Sequence, residues 1–234
     1  MKKIIIFILA ISACLLAISY HKTVQADLEH QLIAAAYAGD LITVKDLLDQ
    51  GVYPYHAFYV NDAARHYQNM DFNVLQAAAS SGNEKLISYL IEKKFDLDQT
   101  NQHNWTALFV AIRDGHAESA ARLIQAGANL NIPTDTGATP LIMLMLADFP
   151  SEQERYLLAE YLLKREADPN LQTQWKTDAI FYAVTELKDL SMVKLLVSYK
   201  ANVCQLYEGK KLTELAHKAL RPFLQKTYQA QCKK

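Results

Sequence analysis

The sequence predicts an all-α solenoid of about five stacked helix–turn–helix units followed by a C-terminal capping unit. Three observations carry this. A small or apolar residue on the first segment of each unit recurs at Ala35, Ala78, Ala111, Leu144, Ala183 and Ala216, at spacings of 43, 33, 33, 39 and 33. Glycines at 39, 82 and 115 divide the first segment from a second, amphipathic one. That second segment carries an apolar pair: Leu47-Leu48, Leu90-Ile91, Leu123-Ile124, Leu162-Leu163 and Leu195-Leu196. A repeated period of 33 with two longer intervals reads as one unit carrying two insertions.

Composition bounds the function classes. The chain has 234 residues, 51% of them hydrophobic, and a formal net charge of −1. That suits one globular domain or a repeat array. Near-neutrality leaves no electrostatic footprint for nucleic acid, since neutralising many phosphates needs a basic excess. The high apolar content excludes a disordered chain.

The elements are taken in chain order. Met1-Lys2-Lys3 is a basic start, and the uncharged, almost wholly apolar run "IIIFILAISACLLAIS" comes after it. Small residues at Val24 and Ala26 complete the pattern of a signal peptide over 1–26, cleaved before Asp27, and its short layout is similar to bacterial export signals. Ile11-Ser12-Ala13-Cys14 resembles a bacterial lipobox, so lipidation at Cys14 is a second route. Retention of the segment as an anchor is a third, though spanning needs about 20 apolar residues. Each route puts the folded part outside the cytoplasm, in the periplasm, and membrane contact requires the second or third. In that oxidising compartment Cys204 and Cys232 are expected to form a disulfide. Closing the loop would stabilise by roughly 3–4 kcal/mol in the chain-entropy model. The alternative is one buried thiol and one in a frayed tail.

The mature domain spans 27–234. Repeats occupy roughly 28–54, 71–100, 104–133, 137–170 and 176–205, with a cap at 209–228. Ten extra residues fall after the second helix of the first unit and form an inserted loop, 55–70. Six more fall between the helices of the fourth unit, around 147–154. Thr139 is placed to cap a helix by accepting a backbone N–H, and Pro140 suits its first position. Gly39, Gly82 and Gly115 are placed to end first helices in a left-handed conformation. No unit buries its faces alone, so stacking builds the core.

These residues are similar to the ankyrin repeat. Gly137-Ala138-Thr139-Pro140-Leu141, Gly115-His116 and Gly127-Ala128-Asn129-Leu130-Asn131 carry the resemblance, and "EADPN" (166–170) and "KANVC" (200–204) mark the same joint in later units. It covers roughly 30–224. Only the fourth unit keeps Thr-Pro-Leu intact; Asp178-Ala179-Ile180 and Lys211-Leu212-Thr213 are degenerate versions. The resemblance implies an ankyrin-repeat α-solenoid that binds a protein partner through its loop fingers and concave face, with no enzymatic activity and no cofactor.

Aromatic residues outside the helix stripes are the candidate anchors: Trp105 and Trp175 in the connections, Phe72 in a similar place, and Tyr53, Tyr55, Phe58, Tyr59 and Tyr67 in the insertion. Such side chains bury large area at low entropic cost. The competing assignment is that each covers the apolar edge of its own finger. Within the binding class, the resemblance extends to exported immunity or antagonist proteins that block a toxin, or to an envelope stress accessory. An enzyme with a site in the insertion (His56, Asp62, His66) and a purely structural envelope protein are the alternatives.

Two motifs are set aside. Asp135-Thr136-Gly137-Ala138 resembles the catalytic loop of aspartic proteases, which needs a second carboxylate and a β-rich body that this chain lacks. Asp135 is expected instead to accept bonds from turn N–H groups. Neither His56/His66 nor Cys204/Cys232 has zinc-ligand spacing, so no metal is expected. His116 is assigned to the helix junction.

Overall fold

The computed structural model describes residues 24–53, 58–62 and 67–232, with 58–62 and 67–70 described by their backbone alone. Residues 1–23, including Cys14, therefore lie outside the described residues, as do Tyr55, His56, His66 and the side chains of Phe58, Tyr59, Asp62 and Tyr67. No described helix is long and apolar enough to cross a membrane.

Helices pair in chain order. Unit 1 is α1 (24–37) and α2 (Leu41–Asp49). Unit 2 is α3 (Val74–Ser81) and α4 (Glu84–Glu92), and unit 3 is α5 (Ala107–Arg113) and α6 (Ala117–Gln125). Unit 4 is α7 (Pro140–Leu146) and α8 (Glu152–Lys164). Unit 5 is α9 (Ala179–Tyr182), running on into a π-helical turn (Ala183–Leu187), and α10 (Leu190–Ser198). The cap is α11 (Leu212–Leu215) and α12 (Arg221–Gln231). First helices stack on first helices and second helices on second. Ala78, Ala111, Leu144, Ala183 and Ala216 are all buried at the first-helix seam, and the apolar pairs of α2, α6, α8 and α10 are buried beneath the second-helix layer.

The boundaries come from local chemistry. Asn73, Thr106, Thr139 and Asp178 recur at one position, and each accepts the backbone N–H three residues on. Asn73 and Gln76 complete a reciprocal capping box. At the other end of α5, Gly115 has φ +76°, and a Cβ there would meet the Asp148 carbonyl oxygen at 2.5 Å. The glycine thus serves both the helix end and the close seating of the next unit.

Two features correct the sequence reading. The insertion is a two-stranded antiparallel hairpin rather than a loop: β1 (Phe58–Asp62) pairs with β2 (Tyr67–Phe72), with a register irregularity between Val60 and Asp62. Phe, Tyr and Val favour an extended chain, and two short segments rich in them satisfy each other's backbone groups. A second short hairpin, β3 (Leu206–Tyr207) with β4 (Lys210–Lys211), precedes the cap. The other correction concerns unit 4. Its inter-helix connection, 147–151, is five residues against three at 114–116, while α8 has 13 residues against nine in α6. Most of the insertion is therefore helix. Ser151 caps α8 early, accepting from Glu154 N at 3.1 Å, and the strong helix formers Glu, Gln and Arg fill the added turn.

On the far side of the second helices, side-chain amides and carboxylates form a ladder. Asp96 Oδ1 accepts from Asp98 N, and Asp98 Oδ1 accepts from Asn129 N in the next unit at 2.8 Å. The pattern repeats through Asn131, Asp168, Asn170 and Asn202 and ends at Cys204 N. Cys204 is joined to Cys232 by a disulfide with a Cα–Cα distance of 5.5 Å. Beyond it the cap turns Lys218, Arg221 and Lys226 to solvent while burying Leu212, Leu220 and Leu224.

Gly115→Ala is expected to lower stability by about 2 kcal/mol or more, combining left-handed strain with overpacking against a backbone oxygen. Urea unfolding of the purified protein measures this; a midpoint unchanged from wild type would contradict the close approach.

Candidate functional site: a row of bridged fingers

Between the stacked units, turns project as fingers, and their chemistry repeats. Asn101 N donates to Trp105 O, Thr134 N to Ala138 O and Thr173 N to Thr177 O, closing three equivalent short turns. Asn101 Oδ1 accepts from His103 N and Trp105 N; Thr134 and Thr173 use their hydroxyls in the same place. Such local side-chain bonds hold a turn that no sheet supports.

Neighbouring fingers are also tied to each other. Gln102 N donates to Asp71 Oδ1, Asp135 N to His103 O at 3.1 Å, Gln174 N to Thr136 O at 2.9 Å, and Gln205 Nε2 to Lys176 O at 2.8 Å. The ties run from β2 to the second hairpin and make one continuous polar row.

The row ends in a buried knot. Asp178, the N-cap of α9, accepts from Phe181 N at 3.1 Å and from the Tyr207 hydroxyl at 2.8 Å. Thr177 Oγ1 bonds Thr173 and the Tyr182 hydroxyl beside it. Asp178 is fully buried, and its Oδ2 has no hydrogen-bond partner. Burial raises the Asp178 carboxyl above the ordinary carboxylate value, against the lowering pull of the Tyr207 hydroxyl and the Phe181 N–H. The Tyr207 phenol is raised as well, first by burial and then by the facing carboxylate.

Comparison with known proteins agrees with this geometry. The family model for ankyrin repeats matches residues 32–134 as three copies. Residues 32–134 are ankyrin repeats, and the helices stack in the same way through unit 5. The chain is 30% identical over 149 residues to mouse ankyrin repeat and SAM domain-containing protein 6, covering 63% of this chain and 16% of that protein. It is 32% identical over 109 residues to the sheep ankyrin repeat, SAM and basic leucine zipper domain-containing protein 1, covering 47% and 22%. The chain thus spans less than a quarter of either relative. Ankyrin arrays are in general non-enzymatic scaffolds for protein partners.

Within the ankyrin framework the aromatic candidates separate. Phe72 is 0% exposed, the inward end of β2 against α3, and is no partner anchor. Trp105 is half-buried: its ring lies 5.2 Å from Phe109 with the Arg113 guanidinium 5.1 Å away, so it packs on the first helix of its own unit. Trp175 is 63% exposed. Its backbone is fixed by Trp175 N to Thr173 Oγ1 and by the ties of its neighbours Gln174 and Lys176. Tyr53 is also exposed, and Leu206, 54% exposed, adjoins the Gln205 that is tied to the Trp175 finger. Leu206 was not among the sequence candidates, because an isolated leucine carries no signal of exposure.

Asp135 also differs from expectation. Its Oδ2 lies 2.9 Å from His103 Nδ1, so the carboxylate faces the neighbouring finger rather than its own turn. His116 sits at the helix junction, its Nε2 3.0 Å from Ser80 O. Among the described residues no three His, Cys, Asp or Glu side chains gather as a metal site.

The Asp178 knot is testable through pH. A carboxyl whose folded pKa is raised contributes stability that is complete below its ordinary value near 3.8 and is lost as pH rises through the folded value. Asp178→Asn keeps an acceptor for Tyr207 and Phe181 but carries no charge. Urea midpoints at pH 4 and pH 7 are expected to show wild type losing stability relative to Asp178→Asn at the higher pH. Parallel behaviour of the two proteins would refute a carboxyl buried at a desolvation cost.

Proposed function

We propose that this protein is an exported, non-enzymatic binding scaffold that holds one protein partner on its finger row, acting in the periplasm as an immunity or antagonist protein against a toxin. The observation that carries the binding mode is Trp175. A large apolar ring stands mostly in water on a backbone held from both neighbouring fingers. Exposing it gains nothing for the free fold, whereas a partner that covers it gains apolar burial with little ordering cost. Leu206 is a second exposed apolar side chain, next in sequence to the Gln205 that bonds the Trp175 finger at Lys176 O.

Export is supported by the basic and apolar start of the chain and by the Cys204–Cys232 disulfide, since such bonds persist in oxidising compartments. Cleavage before Asp27 would fall inside the first turns of α1, which starts at residue 24. Mass mapping of the mature N-terminus decides between Asp27 and a lipidated Cys14; a protein that retains Met1 would contradict both.

For the finger row the test is capture from periplasmic extract by the immobilised protein. Trp175→Ala is expected to weaken binding at least 30-fold, the size of a hot spot worth about 2 kcal/mol, with an unchanged unfolding midpoint. Trp105→Ala is expected to lower the unfolding free energy by roughly 2 kcal/mol, and so the midpoint, through lost packing and cation–π contact. Undiminished capture by Trp175→Ala would overturn the proposed anchor.

A further inference from the structure

On the opposite, second-helix face a trough of about 290 Å³ lies between α6 and α8, walled by Ala117, Glu118 and Ala121 of α6 and by Glu154, Leu157 and Tyr161 of α8. Ala117 and Ala121, one turn apart, leave room that larger side chains would fill. Leu157 stands 52% exposed on the opposite wall. The volume lies at the lower edge of the roughly 300–1,000 Å³ of small-molecule sites, and so suits protruding side chains better than a whole ligand.

Charge separates this trough from the two that precede it along the same face. Between α4 and α6, Arg122 clasps Glu84 through two bonds of 2.8 and 3.1 Å. Between α2 and α4, Lys93 approaches Asp49 at 3.6 Å, and Lys45 and Lys93 both lie over the Tyr89 ring. Those grooves, of about 240 and 310 Å³, are as open as this one but carry cations among their own lining residues, Arg122 in both and Lys45 and Lys85 in the second. In the α6/α8 trough, Glu118 and Glu154 form no ion pair among the described residues, and every cation on the two helices is engaged elsewhere. Arg122 holds Glu84, Arg155 donates to Ala147 O at 2.8 Å, and Lys164 pairs with Glu160 within α8. Arg165, just past α8, lies over the Tyr161 ring. Both glutamates stand in first helical turns, where the helix dipole accommodates negative charge. That position explains their sign. It does not explain the apolar trough left open between them.

We propose that this trough is a second docking site, separate from the finger row, for a protein segment that inserts an aliphatic side chain against Leu157 and brings Lys or Arg to Glu118 and Glu154. An amphipathic helix with one apolar and one basic face meets both requirements, laying its apolar residues in the groove between two helices. The acidic rim also disfavours an acidic segment, since unpaired like charges would be brought together.

The test uses the full-length protein and a 14-residue amphipathic helical peptide of leucine and lysine, with a leucine and glutamate peptide of the same pattern as control. Methyl NMR titration is expected to move Ala117, Ala121 and Leu157, with the lysine peptide binding at least ten-fold tighter than the glutamate one. Glu118→Gln combined with Glu154→Gln is expected to reduce that preference at least five-fold, and Leu157→Ser to weaken lysine-peptide binding at least ten-fold without changing the unfolding midpoint. Trp175→Ala is expected to leave peptide binding unchanged, so the outcome is independent of the finger row. Equal affinity for the two peptides, or binding indifferent to the three substitutions, would overturn the proposal. Sedimentation supplies a further check: a wild-type dimer that Leu157→Ser dissolves would give the trough to a second copy of the chain and overturn it too.

Discussion

Everything in this molecule depends on how closely one first helix can approach the next. Ala78, Ala111 and Ala183 have almost no side chain at the seam, so α3, α5 and the π-helical turn after α9 seat closely against their neighbours. That approach brings the fingers near enough for Asp135 N to reach His103 O and Gln174 N to reach Thr136 O. It also brings the far joints near enough for Asn129 N to reach Asp98. The polar ties are thus secondary to an apolar spacing. A larger residue at the seam would strain both sets together, because neither has slack to absorb a displacement.

The same spacing determines which side chains remain for recognition. A finger tied on both sides has a fixed backbone, and a residue there either packs on its own unit or faces outward. Trp105 and Trp175 occupy comparable fingers at different positions: Trp105 closes its turn, where the other finger has Thr177, while Trp175 stands two residues earlier, where the first has His103. Trp105 thereby lies against Phe109 and Arg113 on one face of α5, whereas Trp175 stands 63% exposed at the turn. The first ring has a wall to lie against and the second does not. Recognition capacity arises here from what the fold omits beside an aromatic ring.

That comparison also indicates what the sequence made legible. The repeat period, the caps at Thr106 and Thr139 and the left-handed glycines are local chemistry repeated in register, and they place the helices. The offset of four that shelters Trp105 was present in the sequence as well, but is readable only once a helix is known to begin at Ala107. Phe72 resembled an exposed finger residue because its aromatic neighbours share its composition; its burial depends on strand pairing, which one strand alone does not encode. The Asp178–Tyr207 contact joins residues 29 apart through the stacking of the cap on unit 5. In unit 4 the extra residues looked like a loop because Pro150 and Ser151 are turn residues, yet Ser151 caps a helix that then runs one turn longer.

The ladder of Asp and Asn side chains has a direction in time. Each rung is an acceptor made earlier in the chain, waiting for a backbone donor made later, from Asp98 to Asn129 and on to Cys204. Its last member is covalently fastened only once Cys232 has been made, 28 residues further on. A chain emerging amino-terminus first therefore completes each joint one repeat late and locks the whole series at its final element. Until α12 arrives, the row of repeats is a zip whose stop has not been fitted, and the early units are held by neighbours that are themselves unfinished.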